Sequence, residues 1–240
     1  MSRECIKEYK INMNLEIKNL KVKLVENDKE IVSEASFYIS PKEVILISGK
    51  NGSGKSSLLS AIFKHPSFNI ENGEILLDNE NLIDLKTFEI AKKGLYLSLQ
   101  HVPEIEGVNL TQFLYRSFKN TNESSELSVL DFNKELENFC DKYDINKNFL
   151  KRELNVGLSG GEKKQAEMLH LFALKPKFVF MDEIDSGVDK EAIKKVFNII
   201  KDFKENYNTG FCIVSHRDNL EDLIEIDRVY EMKDGKLFIN

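Results

Sequence analysis

The sequence has little of what marks membrane-spanning or metal-cluster proteins. It contains three cysteines among 240 residues and no long apolar run. A helix needs about 20 mostly apolar residues to span a bilayer, so we predict no direct insertion into a membrane. Cys5, Cys140 and Cys212 lie far apart and form no Cys-x-x-Cys pair, which argues against a metal cluster held by this chain. We predict that Cys140 and Cys212 are buried free thiols.

An export signal is also missing. Residues 1–14 contain three basic and two acidic side chains but no apolar core segment, so they resemble neither a signal peptide nor a usual transit peptide. Scattered cysteines favour a reducing compartment. We therefore predict a cytoplasmic protein, with the plastid stroma as the alternative that the sequence leaves open. The net charge of −6 argues against nucleic acid as a partner.

What is present is an alternation of apolar strands and helices, which predicts an α/β fold. Antiparallel strands are expected over residues 15–24, 31–39 and 75–77, the last one after a turn at Asn72-Gly73. From residue 101 to about 155 the pattern turns helical. We divide the chain into an N-terminal extension (1–14), a core with an antiparallel β subdomain (15–100 and 156–240) and a helical subdomain (101–155).

A glycine-rich loop stands between a predicted strand and a predicted helix. It follows the apolar run 44–48 and consists of Gly49, Lys50, Asn51, Gly52, Ser53, Gly54, Lys55, Ser56 and Ser57. Strand, loop and helix in this order match the phosphate-binding loop GxxxxGK[ST]. Glycines let the backbone approach a phosphate, and the loop N–H groups and the helix N-terminus attract the anion.

Three side chains of this loop are candidates for direct contacts. We predict that Lys55 reaches the β- and γ-phosphates of a nucleotide, that Ser56 ligates Mg²⁺, and that Ser57 bonds near the α-phosphate. The plainer alternative is a glycine-rich turn that matches the pattern by accident.

Polar side chains also follow two later apolar strands. Asp182 and Glu183 come directly after the strand predicted at 178–181, and His216 follows the strand predicted at 211–215. Ligands bind at the carboxyl ends of strands in α/β sheets. Paired acids are costly to place there without a partner, and Mg²⁺ with an attacking water would supply one. The plainer alternative for all three residues is a position on a surface loop.

Two further residues have the pattern of helix caps. Ser159 is followed three residues later by Glu162, the spacing of a capping box. A cap without further function is the alternative for Ser159. Asp189 is the predicted cap of a helix with an apolar stripe formed by Ile193, Val196, Phe197, Ile200 and Phe203.

In their order and spacing these segments resemble the ATP-binding-cassette (ABC) ATPases, over nearly the whole chain. The matching motifs are Walker A (49–57), the Q-loop residue Gln100, the signature (158–162), Walker B (178–183), the D-loop (185–189) and the switch residue His216. The resemblance implies a phosphate-loop NTPase core with an antiparallel β subdomain and an inserted helical lobe. Many cassettes stack the adenine on an aromatic side chain, and none stands near Leu24 and Val25 here.

Within that class the chain is similar to the SufC family, the ATPases of SUF iron–sulfur cluster assembly. Residues 100–108 resemble the Q-loop of that family, residues 158–164 its Ser-Gly-Gly-Glu-Lys-Lys signature, and residues 182–189 its Asp-Glu-x-Asp-Ser-Gly-Leu-Asp run. Two residues depart from the pattern: Val188 replaces the common leucine, and Ser57 replaces the usual threonine while keeping the hydroxyl.

The resemblance implies how ATP and Mg²⁺ are held. Asp182 and Gln100 would join Ser56 around Mg²⁺, Glu183 would polarise the attacking water, and His216 would contact the γ-phosphate. The signature and the D-loop of a second copy would close over the nucleotide in an ATP-dependent, head-to-tail homodimer. The nucleotide-binding residues of this second set are Ser159, Gly160, Gly161 and Asp189.

The resemblance also implies protein partners. The Q-loop and the helical lobe would bind SufB- and SufD-type scaffold proteins. A further hypothesis is that Lys163 or Lys164 pairs with Glu183 in the resting monomer and holds it away from the water. The main alternative function is the ATP-binding subunit of a membrane ABC transporter. A chromosome or DNA-repair ATPase head would need a long coiled coil, and the residues between Walker A and the signature contain no heptad run.

Overall fold

The computed structural model describes residues 14–99, 102–184, 189–215 and 220–240. Its strands are β1 (Leu15–Leu24), β2 (Glu30–Ile39), β3 (Val44–Ser48), β4 (Phe68–Leu77), β5 (Glu80–Asn81), β6 (Leu95–Ser98), β7 (Ile105–Asn109), β8 (Glu153–Leu154), β9 (Phe178–Asp182), β10 (Gly210–Val214), β11 (Arg228–Lys233) and β12 (Lys236–Ile239). Its helices are α1 (Lys55–Ile62), α2 (Thr87–Lys92), α3 (Leu110–Thr121), α4 (Val129–Tyr143), α5 (Gly160–Leu174) and α6 (Lys190–Asn206), with short 3-10 helices at Lys147–Lys151 and Leu220–Asp222. Among the described residues no helix is long and apolar enough to cross a membrane.

Ten of the strands form one curled sheet. Their order is β5-β4-β1-β2-β12-β11-β3-β10-β9-β6. The five strands from β11 to β6 run parallel, whereas β1, β2, β4 and β5 pair antiparallel. The predicted α/β fold with an antiparallel β part is therefore confirmed.

The parallel strands separate two hydrophobic cores because successive side chains point to opposite faces of a sheet. On β9, Phe178 and Phe180 join the core that α1 shares with the antiparallel strands. Val179 and Met181 join the core formed with α3, α4, α5 and α6. All five residues of β9 are buried, so the strand that ends at Asp182 is held from both sides.

The turn predicted at Asn72-Gly73 is wrong. Both residues lie inside β4, where the pairing register with β1 shifts. Gly73 has φ +109, and a Cβ there would lie 2.6 Å from the carbonyl oxygen of Lys18. The glycine therefore lets β4 continue past a bulge in β1 instead of ending the strand.

The helical region after residue 101 also contains strand. β7 and β8 form an antiparallel ribbon in which Ile105 pairs with Leu154, and the Asn155 side-chain amide donates to the Pro103 carbonyl at 2.9 Å. The expectation of helix from residue 101 is therefore wrong at its start. Along the chain, helices α3 and α4 come between the two strands of the ribbon. The limits of the helical subdomain stay a prediction.

The two described cysteines are buried free thiols, as predicted. Burial raises the pKa of the Cys140 thiol to about 11 and raises that of Cys212 further. Both thiols are therefore protonated at neutral pH.

Candidate active site

The candidate site lies at one edge of the parallel sheet. The glycine-rich loop leaves β3, Asp182 ends β9, and Leu99 follows β6, while β10 lies between β3 and β9. The register places Asp182 beside Val214 of β10. Parallel strands bring their carboxyl ends to the same edge, where α/β proteins bind ligands. Gln100, His216 and residues 185–188 lie outside the described residues, so their predicted roles stay predictions.

The loop depends on glycine at two points. Gly49 has φ +135, and a Cβ there would lie 2.3 Å from the carbonyl oxygen of Met232. Gly54 has a left-handed conformation and precedes the first residue of α1. A side chain at either position would strain the backbone. The loop therefore turns tightly and leaves its N–H groups at the start of a helix.

Lys55 is held inside this loop. It is 4% exposed, and its Nζ donates to the carbonyls of Gly49 at 2.8 Å and Lys50 at 2.9 Å. Burial lowers the pKa of Lys55, while the carboxylates of Glu183 and Asp182 oppose that shift. The side chain thus presents a cation to the loop, close to two acids.

Ser56 and Asp182 are brought together by α1 and β9. The Ser56 hydroxyl donates to Oδ1 of Asp182 at 2.9 Å. Burial raises the pKa of Asp182, while the Ser56 hydrogen bond and the charges of Lys164 and Lys55 lower it. A hydroxyl and a carboxylate oxygen at this spacing are the hard ligands that Mg²⁺ prefers, so Ser56 and Asp182 fit that ion.

Glu183 follows Asp182 in an uncommon backbone conformation. Its φ is +48, and its N–H donates to the carbonyl of Val214 at 3.0 Å. A residue other than glycine in the left-handed region costs about 1–3 kcal/mol and is typical of functional sites. The bond to β10 holds the backbone there, and the Glu183 charge acts on both Lys55 and Asp182.

Ser53 supplies a test of whether a phosphate fits the loop. Among the described residues its Oγ is buried and has no hydrogen-bond partner, which is costly unless a ligand supplies one. The same oxygen would lie 3.2 Å from a Cβ added at Gly49. A polar atom without a partner beside a glycine cradle fits a bound nucleotide phosphate. We call residues 49–57 with Asp182 and Glu183 the phosphate-loop half-site.

The predicted capping box at the start of α5 is confirmed. The Ser159 hydroxyl accepts from the N–H of Glu162 at 3.4 Å, and the Glu162 carboxylate accepts from the N–H of Ser159 at 2.8 Å. The second bond lowers the pKa of Glu162. Ser159 and Gly160 are exposed.

Asp189 is the cap of α6, as predicted. Its Oδ1 accepts from the N–H groups of Glu191 and Ala192, each at 2.9 Å. A Cβ added at Gly161 would lie 3.4 Å from Oδ2 of Asp189. The two helix starts are therefore neighbours, and we call residues 158–162 with Asp189 the signature half-site.

The lysines after the signature have partners that the sequence analysis missed. Lys163 pairs with Glu104 at 2.6 Å, and Lys164 pairs with Glu167 at 3.2 Å. These pairs differ from the expected pairing of one lysine with Glu183. The spacing of three between residues 164 and 167 on a helix was a usable signal, whereas Glu104 comes from a distant segment.

Comparisons with known proteins agree with this geometry. A model of the family described as ABC transporter matches residues 32–186. The chain is 37% identical over 228 residues to a "probable ABC transporter ATP-binding protein" of Streptococcus pyogenes serotype M18, covering 94% of this chain and 88% of that protein. It is 37% identical over 229 residues to the "probable ATP-dependent transporter ycf16" of Antithamnion sp., covering 93% of this chain and 89% of that one.

A solved structure shows the same fold. It is the ATP-binding cassette MJ0796 in a dimeric post-hydrolysis state bound to ADP and Pi, with a TM-score of 0.78, 20% identity, and coverage of 93% of this chain and 96% of that one.

Proposed function

The chain belongs to the ABC transporter family and is an ATP-binding, ATP-hydrolysing cassette, and on that premise we propose that it powers a SUF-type iron–sulfur cluster assembly complex. The observation that carries the proposal is the start of α5. There the sequence resembles the SufC signature, and Glu162, Lys163 and Lys164 each have a defined partner within the chain. Transporter cassettes more often have glutamine at the position of Glu162.

The phosphate-loop half-site binds ATP in this proposal. The loop N–H groups and the Lys55 ammonium hold the β- and γ-phosphates, and Ser53 and Ser57 donate to phosphate oxygens. Ser56 and Asp182 hold Mg²⁺, joined by Gln100. The ion, when bound, neutralises charge that develops on the phosphate oxygens during transfer.

Glu183 acts as the general base. Its carboxylate takes a proton from the water that attacks the γ-phosphate, a role that contributes about 10²–10⁴-fold to the rate. The left-handed backbone of Glu183 and its hydrogen bond to Val214 fix the position of the Glu183 main chain, from which the carboxylate extends. His216 contacts the γ-phosphate and senses its presence.

The signature half-site serves the nucleotide of a second copy. Ser159, Gly160 and Gly161 offer a helix start to the γ-phosphate of the facing chain, and Asp189 stands beside them. Two chains in a head-to-tail pair thereby complete two ATP sites. The exposure of Ser159 and Gly160 supports this arrangement, and MJ0796, the cassette similar in fold, is described as dimeric.

SufB- and SufD-type scaffold proteins are the proposed partners, bound at the Q-loop and the helical lobe. Two contacts would connect a partner bound there to the ATP site, because they join the segment around Glu104 to the segment around the signature. The Asn155 amide donates to the Pro103 carbonyl, and Glu104 pairs with Lys163. Movement of a scaffold at the lobe would therefore reach the signature. The buried thiols Cys140 and Cys212 suit the reducing cytoplasm.

A second candidate function is the ATP-binding subunit of a membrane transporter. The names of the two relatives favour it, since both proteins are called transporters or transporter subunits. The two functions share the chemistry of the phosphate-loop half-site and differ in the partner.

Anaerobic co-purification from cells, followed by an ATPase assay with and without the recovered partner, decides between them. We expect SufB- or SufD-type scaffolds to be recovered and to stimulate hydrolysis. The Glu183→Gln variant is the control, because it should recover the same partner without the stimulated turnover. Recovery of a membrane protein that stimulates hydrolysis instead would contradict the assembly function and establish the second candidate.

A further inference from the structure

An ion pair is buried in the helix that carries the signature. Lys164 and Glu167 are 4% and 3% exposed, and Nζ lies 3.2 Å from Oε2. Lysine and glutamate are almost never buried unless they are paired. The adjacent pair Lys163–Glu104 has side chains that are 25% and 47% exposed. Helix α5 therefore carries two neighbouring lysines that each pair with a glutamate, one in a buried pair and the other in a partly exposed pair.

Lys164 also reaches the strand that leads to the Q-loop. Its Nζ donates to the backbone carbonyl of Leu99 at 3.1 Å, and Leu99 directly precedes Gln100 in the chain. Tyr96 and Ser98 of β6 lie beside the Glu167 carboxylate. Lys164 thus holds the backbone at the end of β6, and its partner Glu167 packs against side chains of the same strand.

The charge of Lys164 also acts on Asp182. It favours the ionised form of that carboxyl, against burial, which raises the pKa of Asp182. Asp182 ends β9, and Lys164 donates to the carbonyl that follows β6. These strands are neighbours in the sheet.

We propose that Lys164, anchored by Glu167, is a positioning residue for ATP hydrolysis that holds the end of β6, where the Q-loop starts, against the signature helix. The proposal rests on the proposed function, in which Gln100 serves the ATP site. Lys164 touches no reacting group and acts through the backbone of Leu99.

Energetics favour a positioning role over simple stabilisation. Replacing a buried ion pair by uncharged groups of similar volume is often neutral or stabilising, whereas removing one partner leaves an unpaired buried charge and is strongly destabilising. A buried pair is therefore weak evidence for stability. What Lys164 adds beyond packing is a donor to the Leu99 carbonyl.

The test is the double variant Lys164→Met/Glu167→Gln in the full chain. Methionine keeps the volume and removes the charge and the donors, and glutamine keeps an acceptor for Tyr96. The matched control is Lys93→Met/Glu80→Gln, which makes the same two changes in an exposed pair, where Nζ of Lys93 lies 2.6 Å from Oε1 of Glu80. Thermal unfolding establishes that both variants fold.

We expect the buried-pair variant to lose roughly tenfold or more in kcat, the scale expected from a small misplacement of catalytic groups, with KM for ATP close to wild type. The exposed-pair control should keep the wild-type kcat. As a readout independent of turnover, hydrogen exchange at the amides of residues 95–99 should increase in the buried-pair variant without nucleotide.

Two results would overturn the proposal. One is a folded buried-pair variant with wild-type kcat and wild-type exchange at residues 95–99. The other is a KM that rises as far as kcat falls, since that would mark a damaged binding site. Failure of the proposed assembly function is separate, because absence of stimulation by a SufB- or SufD-type scaffold leaves the basal kcat and the exchange readout unchanged.

Discussion

The phosphate-loop half-site and the signature half-site differ in how far the chain itself surrounds them. In the first, Lys55 and Asp182 are 4% and 8% exposed, and each has a hydrogen-bond partner from the loop or the neighbouring helix. In the second, Ser159 and Gly160 are exposed at the start of α5. The first is built into the edge of the sheet, and the second is a helix start on the surface.

This difference in burial suggests that one chain alone would bind ATP and that hydrolysis would require the signature half-site of a second copy. The buried half contains the cation, the metal residues and the general base that the proposal requires. The exposed half is a helix N-terminus, whose partial positive charge attracts an anion from outside the chain. A second copy would bring these groups to the phosphate, so assembly and hydrolysis would be coupled.

The change with the largest expected effect removes the general base from the phosphate-loop half-site. Glu183→Gln should reduce ATP turnover roughly 100-fold or more, because the amide cannot accept the proton of the attacking water. ATP affinity should stay close to wild type, since Lys55 and the loop are unchanged. Steady-state turnover and calorimetric binding measure the two quantities. Turnover near wild type would remove Glu183 from the role of base.

The next change removes the cation of the buried half. Lys55→Ala should weaken ATP binding roughly tenfold or more, as expected for loss of a hydrogen bond to a charged group. Lys64→Ala is a matched control, because Lys64 also donates to a backbone carbonyl, that of Ile83 at 2.6 Å, and burial also lowers its pKa. Titration calorimetry compares the two variants. Equal ATP affinities would contradict the assignment of the phosphate loop.

A pH-dependent change in stability is expected on the side of the signature half-site, because helix α5 also carries His170. Its Nε2 is sealed from solvent without a partner among the described residues, its ring packs on Phe113, and burial lowers its pKa to about 4 from the usual 6.5. Between those values the unfolded chain binds the extra proton, so stability falls as the pH falls from 6.5 towards 4.

His170→Phe should remove this dependence, since phenylalanine fits against Phe113 and does not titrate. Relative to wild type, the variant should gain about 2 kcal/mol of unfolding free energy between pH 7 and pH 5. Urea unfolding at several pH values measures the difference. A gap between the two proteins that stays constant over this range would show that His170 is not buried in its neutral form.

The smallest expected effect in stability concerns the cap of the exposed half. Ser159→Ala should cost about 1 kcal/mol of unfolding free energy, as should Ser128→Ala at the start of α4, because each removes a side-chain cap. Only Ser159→Ala should also weaken ATP-driven pairing and turnover. If both variants lost turnover equally, the effect would come from helix stability and not from a contact with the partner's nucleotide.

The elements that carry the site were predictable because short-range patterns determine them. The apolar run before Gly49 and the run before Asp182 are buried parallel strands, and the caps at Ser159 and Asp189 follow from local hydrogen bonding. Both strands end at the same edge of the sheet because parallel strands bring their carboxyl ends together.

What could not be predicted depends on contacts between distant segments. β7 and β8 pair across two helices, and Gly73 stays in its strand because of a bulge in β1. Helix α2 escaped notice because only Ile90 of its six residues is buried, so it shows no apolar stripe. Lys163 pairs with Glu104, and Lys164 donates to the carbonyl of Leu99, which follows β6; only the folded chain brings these distant segments to α5.

The most direct test of the two half-sites is the sedimentation of Glu183→Gln with Mg-ATP, with Mg-ADP and without nucleotide. This variant should bind ATP without consuming it, so the exposed half of one copy can close on the buried half of another. We predict a dimer with Mg-ATP, a monomer in the other two conditions, and loss of the dimer when Ser159→Ala is added. A monomer at saturating Mg-ATP would contradict the shared-site account.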